Sequence, residues 1–322
     1  MTAVYITIDT EYSSALARPG QAVSLDENFT RSIRGGDGDR AVGILHQMRV
    51  MNTHGIRATF FVDPMPALVY GEEAVRRVVE PVLEHGHEVQ LHIHTEWLAL
   101  AGGDNPLGER TGRNMSDFTE DEQKSLIEWA RDRLVAAGAP RPTAFRAGNY
   151  GADDATLRAL KRCGIRYDTS FTPGIRRSTC RITLPPGTDR VARHQGTIEV
   201  PTAALRSIGG LRHGQITALS AWEMGAALRY GVRSGVAAIN LVSHSFELMA
   251  RDRLRPNRIV VERFARLCHA IRTTRNVASE TFTSRPPQIG DQTGCGHMPV
   301  SEVRVASRLA EQFLSNRLYG AS

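Results

Sequence analysis

Hydrophobic positions along this chain keep two rhythms, and the rhythms take turns almost from the first residue. Residues 4–8, Val4-Tyr5-Ile6-Thr7-Ile8, are a compact β-branched run that stops at Asp9. Residues 12–38 are rich in glycine, serine and charge and predict a long excursion. Across residues 39–54, Ala41, Ile44, Leu45, Met48 and Met51 then recur at helical spacing, and His54-Gly55 closes the pattern. Residues 58–62 predict a strand ended by Asp63-Pro64, residues 74–84 a helix ended by Gly86, and residues 88–92 the next strand.

The same alternation continues. Thr119 and Glu122 have capping-box spacing, and the helix they open carries Leu126, Ile127, Ala130 and Leu134 on one face. Residues 143–145 predict a short strand and residues 153–163 a helix before Gly164. Residues 176–215 read as irregular apart from a strand near 197–200. Residues 237–242 predict a late buried strand. Val260, Phe264, Leu267 and Ile271 mark a further helical face, and residues 278–282 a last strand. Repeated strand-helix alternation implies a parallel sheet with crossover helices, open or closed into a barrel. Residues 284–298 read as a Pro/Gly-rich linker. A final helix follows with Val303, Ala306, Leu309, Ala310 and Phe313 on one stripe, which suits docking on the barrel or on a second subunit. The expected organisation is therefore a β/α unit over residues 1–283, then a linker and amphipathic helix over 284–322.

Composition narrows the class. The 322 residues are 41% hydrophobic, ordinary for a soluble protein with a well-buried core. The formal charge of +6 comes almost wholly from scattered arginines, since Lys124 and Lys161 are the two lysines. No basic run exceeds pairs such as Arg176-Arg177, so a nucleic-acid footprint is not expected. A solvated arginine-rich surface is the plain reading; a phosphate-bearing or anionic-glycan partner is the sharper one. Cys163, Cys180, Cys268 and Cys295 lack metal-knuckle or redox spacing. No basic leader and no run of about 20 apolar residues occurs. A cytoplasmic, reduced protein with no membrane span is the expectation.

Candidate chemistry sits where strands end, which is where parallel β/α folds place their sites. Thr7-Ile8-Asp9-Thr10-Glu11 puts two acids two residues apart, on one face of an extended segment. Gly86-His87-Glu88 leads to His92 and His94, again two apart and able to reach one metal. Phe145-Arg146-Ala147-Gly148-Asn149-Tyr150 offers an arginine to orient a carboxylate. Leu241-Val242-Ser243-His244-Ser245 supplies a histidine suited to general-acid work. Each signal also has a structural reading: a capping acid, a solvated histidine, a surface arginine.

Taken together and in this order, the motifs resemble those of the polysaccharide deacetylase family (NodB-homology, carbohydrate esterase family 4-like). Two further segments resemble the family: Ala58-Thr59-Phe60-Phe61-Val62, and Gly164-Ile165-Arg166-Tyr167-Asp168-Thr169-Ser170. The resemblance spans about residues 3–283. It implies an irregular (β/α)7-type barrel and a metal-dependent hydrolase that removes an N-acetyl group from an acetamido sugar. It implies Glu11, His92 and His94 as ligands of a divalent metal, zinc foremost. Asp9 would be the general base, oriented by Arg146, and His244 would protonate the leaving amine. Asp9 as an additional ligand stays open.

Three departures mark a divergent subgroup. Thr10 separates the two acids, which are usually adjacent aspartates. Glu96 stands where the family's second histidine usually falls, four residues after the first, so whether Glu96 is also a ligand stays open. Gly148 replaces a proline of the arginine motif. The implied substrate is an acetylated sugar in surface-polysaccharide or glycan-precursor biosynthesis, linked to a nucleotide or a lipid. Hydrolysis of another small amide, and a non-catalytic glycan-binding or scaffolding barrel, are the competing readings.

Overall fold

The computed structural model describes residues 1–320. Among these residues are eleven strands and nine α-helices. The strands are β1 (Thr2–Thr10), β2 (Thr59–Val62), β3 (Glu88–Ile93), β4 (Ala144–Ala147), β5 (Tyr167–Asp168), β6 (Ala192–His194), β7 (Thr197–Glu199), β8 (Ala204–Ser207), β9 (Gly210–His213), β10 (Ala238–His244) and β11 (Val277–Ser279). The helices are α1 (Leu25–Phe29), α2 (Ile44–Thr53), α3 (Ala67–Tyr70), α4 (Glu73–Glu84), α5 (Glu120–Ala136), α6 (Asp154–Arg162), α7 (Ala221–Ser234), α8 (Arg258–Thr273) and α9 (Glu302–Tyr319).

The main sheet runs β10-β1-β2-β3-β4-β5-β7-β6, with β11 also on β1. Its pairings are parallel except β6 with β7. Period-two alternation divides each central strand between two environments. Val4, Ile6 and Ile8 of β1, with Val89, Leu91 and Ile93 of β3, join the large core shared with the helices. Asp9 and His92 alternate with these apolar residues, so they project from the opposite face of the sheet.

This is the mixed α/β, mostly parallel architecture expected of the (β/α)7 deacetylase type, with one difference. Among the described residues no strand ladder closes the sheet into a barrel. The free edge of β10 is covered instead by single hydrogen bonds from irregular segments. The Ala203 N–H donates to Asn240 O at 2.8 Å, the Val242 N–H to Gly214 O at 2.9 Å, and the Asn240 N–H to Thr293 O at 3.2 Å. The stretch expected as a linker thus contributes to covering that edge, and Thr293 and Cys295 are fully buried there.

Local chemistry explains the other differences. The capping boxes of α5 (Thr119, Glu122), α6 (Asp153, Thr156) and α7 (Ser220, Glu223) all form. Helix α2 begins at Ile44 rather than residue 39 because the Gly43 backbone lies against another segment. A Cβ on Gly43 would stand 1.9 Å from Ile33 O, and the Gly43 N–H donates to Arg34 O at 2.9 Å. The hairpin β8–β9, expected as irregular chain, turns through Gly209 (φ 86°) and Gly210 (φ 129°), angles that favour glycine.

The final helix is present, but its apolar stripe faces away from the rest of the chain. Val303, Leu309 and Phe313 are 65%, 55% and 68% exposed. Its inward face buries Val305 but is otherwise polar. Arg308 Nε donates to Glu223 Oε1 at 3.1 Å, Arg263 Nη2 to Glu311 Oε2 at 2.9 Å, and Asn257 Nδ2 to Ser315 Oγ at 2.8 Å. Of the two expected dockings, that on the barrel does not occur, because charged partners on the body take the opposite face of the helix. No helix among the described residues is long and apolar enough to cross a membrane.

Candidate active site

Strand register gathers the site. Asp9 lies beside both Phe61 and His244, and His92 lies beside Arg146. The carboxyl ends of β1, β3, β4 and β10 therefore present all the expected residues from neighbouring strands. The parallel pairing is what lets four separate sequence motifs share one end of the sheet.

Arg146 is wholly buried and fixes Asp9. Its Nη1 donates to Asp9 Oδ1 at 2.6 Å, its Nη2 to Thr7 Oγ1 at 2.9 Å, and its Nε to Thr169 O at 3.2 Å. The guanidinium also sits 4.6 Å from the centre of the Phe61 ring. A buried guanidinium needs such a partner, and the short charge-assisted bond keeps Asp9 oriented. Arg146 was expected at a strand end, whereas it lies within β4, so its side chain is held by the sheet itself.

Glu11, His92 and His94 each offer one ligand atom, and the three atoms lie within 4.8 Å of one another. The other nitrogen of each imidazole is engaged. His92 Nδ1 donates to Arg146 O at 2.7 Å, and His94 Nδ1 lies 3.1 Å from Glu96 Oε2. Both Nε2 atoms consequently turn to Glu11 Oε2, at 3.3 Å from His92 and in close contact with His94. Outer acceptors that lock ring orientation while the inner nitrogens converge are what a metal-binding imidazole pair requires. One carboxylate and two imidazoles suit a divalent ion such as zinc, so the residues present fit the expected metal.

Charge in this cluster is mutually compensated. Burial would raise the Glu11 pKa, but the His94 and His92 imidazoles hold it well below the usual carboxylate range. Burial would lower that of His94, but Glu11 and then Glu96 hold it well above the imidazole range. Glu96 approaches His94 from the outer, Nδ1 side and accepts from Asn149 Nδ2 at 2.8 Å, so it backs the histidine from outside the cluster. Asp9 is not within the cluster either; its Oδ2 lies 3.9 Å from His244 Nε2.

Two acids that the sequence reading left without a role belong here. Asp63, read as a strand stop, is buried at the end of β2. Its Oδ1 accepts from the His94 N–H at 3.3 Å, and its Oδ2 has no hydrogen-bond partner among the described residues. Burial raises its pKa to about 6 against the pull of His94 and His92. Its signal was available, since it too is an acid at a strand's carboxyl end. Glu247 stands beside His244, its Oε2 3.4 Å from Nδ1, while its Oε1 accepts from Gln215 Nε2 at 2.9 Å. Burial would lower the His244 pKa, but the Glu247 bond and charge, then Asp9 and Glu11, raise it to about 9. Burial would raise that of Glu247, but His244 chiefly brings it to about 2.

Gly148 and His94 are linked in space. A Cβ at Gly148 would meet Ile93 O at 2.7 Å and the His94 ring at 2.8 Å. Any side chain there, the family's usual proline included, collides with the imidazole as it stands.

Residues 44–167 match the polysaccharide deacetylase family, a span that takes in His92, His94 and Arg146 and leaves Asp9, Glu11 and His244 outside it. No curated protein sequence matches the chain. A solved Mycobacterium smegmatis structure named for the same family is 15% identical over 91% of this chain and 93% of its own, with a TM-score of 0.57. A 4-alpha-glucanotransferase from Thermococcus litoralis is 9% identical over 91% of this chain and 41% of its own, TM-score 0.51. At such identities these likenesses speak to the fold alone. Family match and fold agree with the motifs: residues 44–167 are similar to the polysaccharide deacetylases, and the chain shares the fold of a solved structure named for that family.

Proposed function

We propose that this chain is a metal-dependent deacetylase that removes an N-acetyl group from an acetamido sugar. The observation that carries the reading is the Glu11-His92-His94 cluster beside the Asp9–Arg146 pair, at one end of one sheet. A divalent ion, zinc foremost, held by Glu11, His92 and His94 would polarise the amide carbonyl and acidify a water. Asp9, aimed by Arg146, accepts the proton from the attacking water. His244, held protonated by Glu247, donates to the leaving amine. Arg146 and Glu247 are positioning residues, since each acts through the group it touches.

The proposed setting is surface-polysaccharide or glycan-precursor biosynthesis in the cytoplasm, on a nucleotide- or lipid-linked sugar. Residues 1–283 are the proposed deacetylase unit and residues 284–322 its tail. The Gly148–His94 fit argues against a decayed, non-catalytic site, because an unused histidine has no need of a cleared wall.

The deciding experiment is elemental analysis of the purified chain and of His92→Ala and His94→Ala, with acetate release from acetamido sugars. About one ion per chain, reduced in both variants, with acetate released, is the expected result. No metal after reconstitution would overturn the reading.

We propose further that a second copy of the chain covers the outward stripe of α9. An antiparallel two-fold pairing centred between Leu309 and Ala310 sets the large Phe313 against the partner's Ala306. It also sets Glu302 against the partner's Arg317. Small opposite large and acid opposite base, from one sequence, is the self-complementarity that an isologous interface needs. The exposed charges of α9 balance, which favours this occupant over an anionic lipid surface.

A further inference from the structure

The catalytic reading leaves Arg253, a semi-buried cation at the site, unused. Arg253 sits in a loop after β10 with a left-handed backbone, φ 55°. Its guanidinium carbon lies 3.8 Å from the centre of the Phe246 ring, and that ring packs 5.3 Å from the His244 ring. Its Nη1 donates to Ser32 Oγ at 3.3 Å. No carboxylate pairs with it among the described residues, whereas Arg146, Arg263 and Arg308 each have one. Burial lowers its pKa, and Glu11 is the charge that opposes this.

An incompletely hydrated guanidinium without a counter-ion is costly, and most of its five donors remain unspent. The space in front of it is a cleft of about 490 Å³, the size of a small-molecule site. Arg253 and His244 line that cleft beside Glu247, and Arg263, also in its wall, is paired with Glu311. Glu247 is already taken up by His244, Gln215 and Thr217. Phe246, Met249 and Val260 supply apolar wall, which by desolvation strengthens any charge pairing inside. The cleft thus holds the Arg253 guanidinium without a carboxylate partner among the described residues, is partly dry and is continuous with the proposed proton donor.

We infer that Arg253 anchors an anion subsite in this cleft, and that the acetamido sugar processed here carries a phosphate ester close to the scissile amide. The inference rests on the deacetylase reading and deepens it, by giving the substrate's phosphate a place. A planar guanidinium fork pairs with two phosphate oxygens at once, which a neutral glycan cannot reciprocate. The shared chemistry is a sugar phosphate; a nucleotide diphosphate and a prenyl phosphate are its two sources.

The test is calorimetric binding to the zinc-loaded full chain. The probes are N-acetylglucosamine, its 1-phosphate, UDP-N-acetylglucosamine, and a short prenyl-phosphate-linked N-acetylglucosamine in detergent. Phosphate probes are expected to bind at least about tenfold more tightly than the neutral sugar, and Arg253→Gln to remove about that factor for them alone. Arg253→Lys, which keeps charge and loses the fork, is expected to fall between. Metal content and melting temperature of each variant check that the fold persists. The tighter of the nucleotide and prenyl probes identifies the source. Equal affinity for neutral and phosphorylated sugars, or unchanged phosphate affinity in a folded Arg253→Gln, overturns the subsite. Failure of the deacetylase reading is separate: it shows as absent acetate release even from probes that bind.

Discussion

Gly148 and His94 fit only as a pair: a Cβ on Gly148 would press on the His94 ring at 2.8 Å. Backbone stands on the other side too, with Ile93 O at 2.7 Å from the same point, so the added atom has no way to retreat. Gly148→Ala should therefore push the His94 imidazole off its line to Glu11. The expected outcome is a metal affinity lower by roughly 10- to 100-fold, as for loss of an orienting neighbour, with the fold kept. Zinc competition against a chromogenic chelator measures it. Unaltered affinity would mean that His94 is not a ligand or that the wall moves.

Asp9 makes a separate demand. It lies outside the three-ligand cluster and on the Arg146 guanidinium. Asp9→Asn should keep the metal and lose about 10²- to 10⁴-fold in turnover, the usual span for a general base. Arg146→Met should lose both turnover and stability, because it leaves Asp9 buried without its counter-charge, a change worth about 3–5 kcal/mol. Elemental analysis beside acetate-release kinetics separates the two. Metal lost in Asp9→Asn would make Asp9 a ligand instead.

Much of this arrangement was legible in the sequence, and the parts that were not share a cause. Period-two spacing alone put Asp9 with Glu11 and His92 with His94 on common faces, because a strand leaves no other choice. Capping boxes at Thr119 and the helical stripes likewise depend on near neighbours. What stayed hidden depends on distant ones. The start of α2 is set by Ile33 and Arg34 against Gly43, and the covering of β10 by residues 203, 214 and 293. Glu247 could have been found, three residues past His244. Arg253 could not, because its place over Phe246 is made by a loop with left-handed backbone.

His244 and Glu247 predict a pH signature. His244 is raised to about 9, so the proposed proton donor stays charged at neutral pH and turnover should fall as pH rises through about 9. Glu247→Gln removes the main group holding it up, and the alkaline limb should move down toward the ordinary imidazole range. Stability follows the same linkage. The raised His244 pKa contributes stability that is full below the unfolded value near 6.5 and lost as pH rises through about 9. The lowered Glu247 pKa contributes stability that is present above the unfolded value near 4.5 and lost as pH falls through about 2. Wild type should therefore melt above Glu247→Gln most clearly between those limits, and the gap should close in alkali. A gap independent of pH would mean that Glu247 acts through its hydrogen bonds to Gln215 and Thr217 rather than through its charge.

The α9 stripe predicts an oligomer. Phe313, 68% exposed, is the largest apolar group on a helix whose inner face is already spent on Arg308–Glu223 and Arg263–Glu311. One helix pair is a small interface, so the dimer should dissociate on the order of micromolar concentration. Light scattering behind size exclusion should give twice the chain mass of 35.4 kDa at high loading and approach the single mass on dilution. Phe313→Glu should be monomeric throughout, since it sets a charge against the partner's Ala306. Glu302→Arg should weaken the dimer by bringing like charges together, and Glu302→Arg with Arg317→Glu should restore it, because the two-fold axis re-pairs both ends at once. A monomer at every concentration refutes the pairing. A dimer indifferent to Phe313→Glu would place the contact elsewhere on the chain and leave the stripe without its occupant.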